Sequence, residues 1–153
     1  MVARKMAISI FVAICGFVFS AAAALAGSLE GYAFVNDDAT LRIRGRTIRL
    51  YGIHIPKTSV ICKEQFRPPI CGRRASVALK FKLNSGWPRC ELVERHRDRS
   101  ITALCVVDGL DLSAYLLEYG WAVAVPNAPI EYHTLEKIAR SRRIGVWGIA
   151  IGE

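Results

Sequence analysis

Thr40-Leu41-Arg42-Ile43-Arg44-Gly45-Arg46-Thr47-Ile48-Arg49-Leu50-Tyr51-Gly52-Ile53 is the stretch that sets the fold. Leu41 and Ile43 fall on one face and Arg42 and Arg44 on the other, the period-two pattern of a half-buried strand. Gly45-Arg46 turns the chain, and residues 47–53 resume as a strand. Upstream, residues 30–36 read as a first strand, and Asn36-Asp37-Asp38 carries turn residues. Downstream, residues 54–69 contain Pro56, Pro68 and Pro69 and read as a loop.

Beyond that loop the period changes. In residues 72–85, Ala75, Ala78, Leu79 and Leu83 form one stripe, and Gly86 ends it, which predicts a helix. Residues 89–95 and 100–107 read as two strands around the polar turn Arg95-His96-Arg97-Asp98-Arg99. Asp111 is an expected N-cap for a helix with Leu112, Tyr115, Leu116 and Tyr119 on one face, stopped by Gly120. Residues 121–125 form a short extended piece. Asn127 is the expected cap of a last helix, with Pro129 in its first turn and Leu135, Ile138 and Ala139 facing inward. Arg140, Arg142 and Arg143 crowd the end of that helix, where its dipole favours cations. The fold class that follows is mixed α+β, mainly β: a five-stranded OB-type barrel with about three helices.

The chain has 153 residues, one domain's length. Its hydrophobic share of 52% excludes a disordered polyelectrolyte, and its net charge of +8 points toward acidic partners. Only residues 6–24 are apolar for long enough to span a bilayer, which excludes a multipass membrane protein. Arg4 and Lys5 precede that run and Ala24-Leu25-Ala26 follows it, the layout of a signal peptide over residues 1–26, with an uncleaved anchor as the alternative. Cleavage would leave a domain over residues 27–153 that is periplasmic or secreted, has no stable membrane span and is expected to be a monomer. Two of the 21 basic residues lie in that leader, so 19 would remain against 13 acidic ones, a net charge of +6.

Cys15 would leave with the leader. Cys62, Cys71, Cys90 and Cys105 remain, and an even number in an exported chain predicts two disulfides. Four cysteines allow three pairings. No C-x-x-C spacing occurs, and the three histidines are scattered, so a zinc site is not expected. Cys90 and Cys105 are equidistant from residues 97–98, so a hairpin would set them face to face. Cys62 and Cys71 would then close the proline-rich loop.

Six segments, in order, resemble the staphylococcal-nuclease (thermonuclease) family. They are Val35-Asn36-Asp37-Asp38-Ala39-Thr40-Leu41, the segment Arg49-Leu50-Tyr51-Gly52-Ile53-His54-Ile55-Pro56-Lys57, and Cys71-Gly72 with Ala75. The others are residues 98–105, residues 109–120 followed by Trp121-Ala122, and residues 140–147. The resemblance implies an OB-type barrel. It also implies a site where carboxylates hold calcium, a glutamate activates water and two arginines hold the phosphate.

Carried over position by position, the match keeps Asp37 and the phosphate-binding Arg49. Ala39 and His54 replace the two calcium-binding aspartates, Lys57 replaces the glutamate, and Ser100 replaces the second arginine unless Arg99 substitutes. Asp38 is expected to point away from the site along an extended backbone. Where the family's five positions sum to −1, Ala39, His54, Lys57, Arg49 and Ser100 sum to +2 with His54 neutral. The resemblance therefore implies a site with no calcium, no other cofactor and no calcium-nuclease activity, one positive enough to take a polyanion directly.

Three functions follow as expectations. The first is an exported domain that binds a polyanion, nucleic acid or acidic polysaccharide, without cleaving it. The second is an active nuclease or phosphodiesterase with altered metal or none, His54 serving as base beside Lys57 and Arg49. The third is an envelope accessory protein, for example in exopolysaccharide production. Arg42, Arg44 and Arg46 on one strand edge, and Arg95, Arg97 and Arg99 on a hairpin tip, are the candidate binding cations. The alternative for the first set is a solvated sheet face, and the second is the more suggestive because it lies near the site that the resemblance implies. Trp87, Trp121 and Trp147 are expected to serve core or edge packing.

Overall fold

The computed structural model describes residues 27–56, 71–84 and 86–148. The expected leader, Lys57 and Cys62 lie outside the described residues, and with Cys62 the expected Cys62–Cys71 bridge. Among the described residues no helix is long and apolar enough to cross a membrane.

The alternating stretch forms what its period predicts. β1 (Ser28–Glu30) and β2 (Ala33–Val35) lead into β3 (Leu41–Ile43) and β4 (Arg46–Leu50). Leu41, Ile43, Ile48 and Leu50 are buried, whereas Arg42, Arg46 and Arg49 are exposed. β5 (Ile53–His54) is short, and α1 (Cys71–Leu83) follows the proline-rich segment. β6 (Arg89–Arg95) and β7 (Ile101–Val107) form the expected hairpin, then come β8 (Leu110–Asp111), α2 (Leu112–Glu118), β9 (Val123–Ala124) and α3 (Ile130–Ser141). A 3-10 turn, Gly145–Trp147, closes the described chain.

The result is a mixed α+β fold with three α-helices and a curled, OB-like sheet. The described residues hold nine short strands where five were expected. Six lie in the order β1-β6-β7-β4-β3-β2, β8 pairs with β7, and β5 pairs with β9 separately. β1 and β2 stand at opposite ends of that order although only residues 31–32 separate them. The chain bends at Gly31 (φ +154°), so one run of residues serves both ends of the curl. β4 and β7 pair in parallel, Ile48 opposite Ile101 and Leu50 opposite Ala103, and this pairing is the seam of the core. Leu79 from α1 and Leu112, Leu116 and Leu117 from α2 fill the interior.

Asp111 caps α2 as expected, its Oδ1 accepting from the backbone N–H groups of Ser113 and Ala114. Its Oδ2 accepts from the Tyr132 hydroxyl, which ties α2 to α3. Burial first, and then that carboxylate, push the Tyr132 hydroxyl pKa far above the ordinary phenol value.

Several expectations are corrected. α1 ends at Leu83, short of Ser85. Pro129, not Asn127, occupies the N-cap of α3, because Ala128 N–H closes a turn onto the Val125 carbonyl and residues 125–128 are spent on it. α3 turns Tyr132, Glu136 and Ala139 inward, and Ile138, one position off that stripe, is 39% exposed. Trp87 is 68% exposed and so is not a core residue.

Cys90 and Cys105 face each other in the β6–β7 register and form the expected disulfide. A bulge at Val93, between this pair and the turn, shifts the register by one residue and brings Cys90 opposite Cys105 in place of Val106. The bridge spans 15 residues in sequence. Cys90→Ala with Cys105→Ala is expected to lower stability by about 2–4 kcal/mol. A urea melt of the double variant that coincided with the oxidised protein would refute this.

Candidate functional site: two grooves divided by Arg49

Two turns of the same construction frame the site. In the first, Asn36 N–H bonds the Thr40 carbonyl at 2.9 Å, and Asp38 Oδ1 accepts from Thr40 N–H at 3.0 Å and Thr40 Oγ1 at 2.7 Å. In the second, His96 N–H bonds the Ser100 carbonyl at 2.9 Å, and Asp98 Oδ1 accepts from Ser100 N–H at 3.0 Å and Ser100 Oγ at 2.6 Å. The residue between acceptor and donor takes a left-handed conformation in both, Ala39 at φ 62° and Arg99 at φ 65°. An aspartate that bonds the backbone two residues on is the usual device of such a turn. The sequence signal was present, Asp-x-Thr and Asp-x-Ser. Asp38 therefore does not point away along an extended backbone: its carboxylate is engaged in holding the turn.

The parallel β4–β7 pairing brings the second turn beside Arg49. Arg49 Nη2 donates to Asp98 Oδ2 at 3.0 Å, and Arg49 Nε donates to Ser100 Oγ at 3.3 Å. Arg49 and Asp98 are both more than half exposed, so the pair adds little stability. Its effect is local charge. Arg49 thus already has a carboxylate partner, a neutralisation absent from the sum over aligned positions.

Arg49 borders two grooves. The first is lined by Asp37, Asp38, Ala39, His54 and Pro56, with a volume of about 310 Å3. Its described lining carries two aspartates and one arginine beside His54, while Lys57, one of the two cations behind the expected positive cleft, lies outside the described residues. Ion pairs to Arg73 at 3.9 Å and Lys80 at 3.8 Å hold Asp37 toward α1. Among the described residues no three His, Cys, Asp or Glu side chains group to hold a metal ion.

The second groove, about 680 Å3, lies over the start of β4 and the β6–β7 turn. Arg46, Arg49, Arg95 and Arg99 line it with His96 and Ser100, and Asp98 is the one carboxylate in that lining, so the groove sums to +3 with His96 neutral. His96 Nε2 lies 2.7 Å from Thr102 Oγ1, which fixes the ring against β7. Of the hairpin arginines Arg95 and Arg99 enter this lining and Arg97 does not. Arg42 and Arg44 lie over a neighbouring depression with Phe34.

His54 is placed from a distance. It pairs with Val123 in the β5–β9 ladder, and the neighbouring Ala124 N–H donates to buried Glu136 Oε2 at 2.8 Å. Glu136 Oε1 pairs with Arg140 at 2.7 Å, and the Arg140 guanidinium lies 4.0 Å from the Trp147 ring centroid. Arg140 is thus a structural residue. Sequence reading had assigned it to the solvated helix end and missed Glu136 altogether.

The hydrogen bonds from Ser100, side chain first and backbone second, together with Arg49, hold the Asp98 carboxyl below the ordinary carboxylate pKa. A depressed folded pKa means that the contribution to stability is present above the unfolded value and is lost as pH falls through the folded one. Asp98→Asn keeps an Oδ1 acceptor for the turn and removes the charge facing Arg49. For a groove that takes a polyanion, as the sequence leads one to expect, the change should strengthen binding at neutral pH and steepen its salt dependence by up to about one unit of slope. Unchanged binding in a salt titration of this variant would show that Arg49 takes no part.

Compared with models of known protein families the chain matches none, and no curated protein matches it.

Proposed function

We propose that the chain is an exported, OB-type domain of the staphylococcal-nuclease kind that binds a polyanion without hydrolysing it. The observation that carries this reading is the arginine groove, lined by four arginines and one carboxylate. A groove of that charge attracts phosphate or acidic sugar without metal, and arginine suits bidentate contact with either. The five-strand reading of the barrel counts residues 28–35 as one bent strand, followed by β3, β4, β6 and β7. The polyanion contact moves from the cleft expected by position to the neighbouring groove, because Asp37 and Asp38 line the former.

Hydrolysis is not proposed. Ala39 and His54 stand where the resemblance wants calcium-binding carboxylates, and Asp38 is engaged in its turn. The protein incubated with single- and double-stranded DNA and RNA is expected to release no soluble nucleotide, with calcium or with chelator. Its affinity for nucleic acid or heparin should be indifferent to chelator and fall steeply with salt. Cleavage in either condition would replace this reading with a nuclease of altered chemistry.

A further inference from the structure

We propose that an aromatic and arginine track outside the cleft, built on β2 and β3, holds single-stranded polynucleotide by stacking its bases. Tyr32, just before β2, and Phe34, within it, are each 63% exposed, while Ala33 and Val35 turn toward the core. Their rings meet edge to face, centroids 4.9 Å apart at 77°, which leaves the pair standing out from the sheet as a ridge. Phe34 lies directly opposite Arg42 in the β2–β3 register, a cross-strand pair on the outer face. Phe34 and Val35 line depressions on both sides of the ridge, one with Lys80 and the other with Arg42 and Arg44.

That second depression also includes Gly45, and Gly45 borders the arginine groove as well. The exposed surface therefore runs from the ridge, past Arg42 and Arg44 and over the β3–β4 turn, into the groove. A ligand that follows it must be flexible, anionic along its length and equipped with flat apolar faces. Unpaired polynucleotide has all three properties, since each unit carries one phosphate and one π-face. A duplex hides its bases, and a membrane is too flat to follow a surface over that turn.

This inference rests on the polyanion-binding reading, and the test separates the two. Fluorescence anisotropy on the full chain would compare a labelled oligothymidylate, its duplex with oligoadenylate, labelled heparin and vesicles containing phosphatidylglycerol. Tyr32→Ala with Phe34→Ala is expected to weaken oligothymidylate binding at least about tenfold and to leave heparin within about twofold. Phe34→Trp should retain oligothymidylate binding, which distinguishes stacking from damage to the fold. Arg46→Glu with Arg99→Glu should weaken both ligands. If heparin binds but the aromatic variant holds oligothymidylate as well as the parent does, the track is refuted and the groove survives. Equal affinity for duplex and single strand, or an aromatic dependence seen only with vesicles, would also refute the track. If neither heparin nor oligothymidylate binds the parent, both readings fall.

Discussion

Gly145→Ala should destabilise the protein by on the order of 3–5 kcal/mol, among the largest single-residue effects in the domain. Gly145 adopts φ +62°, and an added Cβ would lie 2.3 Å from the Gly120 carbonyl oxygen and 2.5 Å from that of Tyr119. Gly120 adopts φ +69°, and its own Cβ would lie 2.4 Å from the Ile144 carbonyl oxygen. The two backbones thus meet face to face at the end of α2, where Val146 N–H bonds the Gly120 carbonyl at 2.9 Å. The left-handed conformation alone costs alanine about 1–2 kcal/mol. The rest comes from backbone atoms that cannot rotate out of the way. Gly109→Ala is the control: its φ is +78°, but nothing lies within 4 Å of the added Cβ. It should cost only the conformational part, about 1–2 kcal/mol. Equal denaturation midpoints for the two variants would show that the close approach does not contribute.

Reversing two arginines of the groove should have the largest effect on binding. Arg46→Glu with Arg99→Glu changes the lining from +3 to −1, with His96 neutral. Affinity for polyanions should fall on the order of a hundredfold at low salt, and the salt slope should shrink by about two. Arg97→Glu with Arg143→Glu makes the same change in net charge at exposed positions outside that lining. It should act only through the long-range field and lose far less. The comparison separates a local site from the general attraction of a basic protein. Equal losses in the two double variants would mean that net charge, not this groove, holds the ligand.

Much of the frame was legible because it rests on near neighbours. Alternation over residues 41–50 placed Leu41, Ile43, Ile48 and Leu50 inside and left Arg42, Arg46 and Arg49 outside. Hairpin spacing brought Cys90 near Cys105, and the Val93 bulge, which lies between them and the turn, set them opposite; the turn-side register of Glu94–Thr102 and Arg95–Ile101 continued without it would put Cys90 opposite Val106. The Asp111 cap depends only on the two N–H groups that follow it. Each signal is local, so chain periodicity and turn chemistry suffice to express it.

The site itself was decided by the tertiary structure. Arg49 meets Asp98 because β4 and β7 pair in parallel across 49 residues of sequence, and no local pattern reports such a crossover register. That contact gives a carboxylate partner to Arg49, one of the two cations, with Lys57, on which the positive cleft had been counted. Asp37 and Asp38 face that cleft because Ala39 takes a left-handed turn in place of extended backbone. Glu136 is buried because β9 offers it an unpaired N–H and α3 offers it Arg140, two partners from separate elements. Sequence determined the alternating strands, the Asp111 cap and the cations. Only the packing of one element on another decided which cations share a groove and which carboxylates are already engaged, because charge sums depend on distances that chain order does not encode.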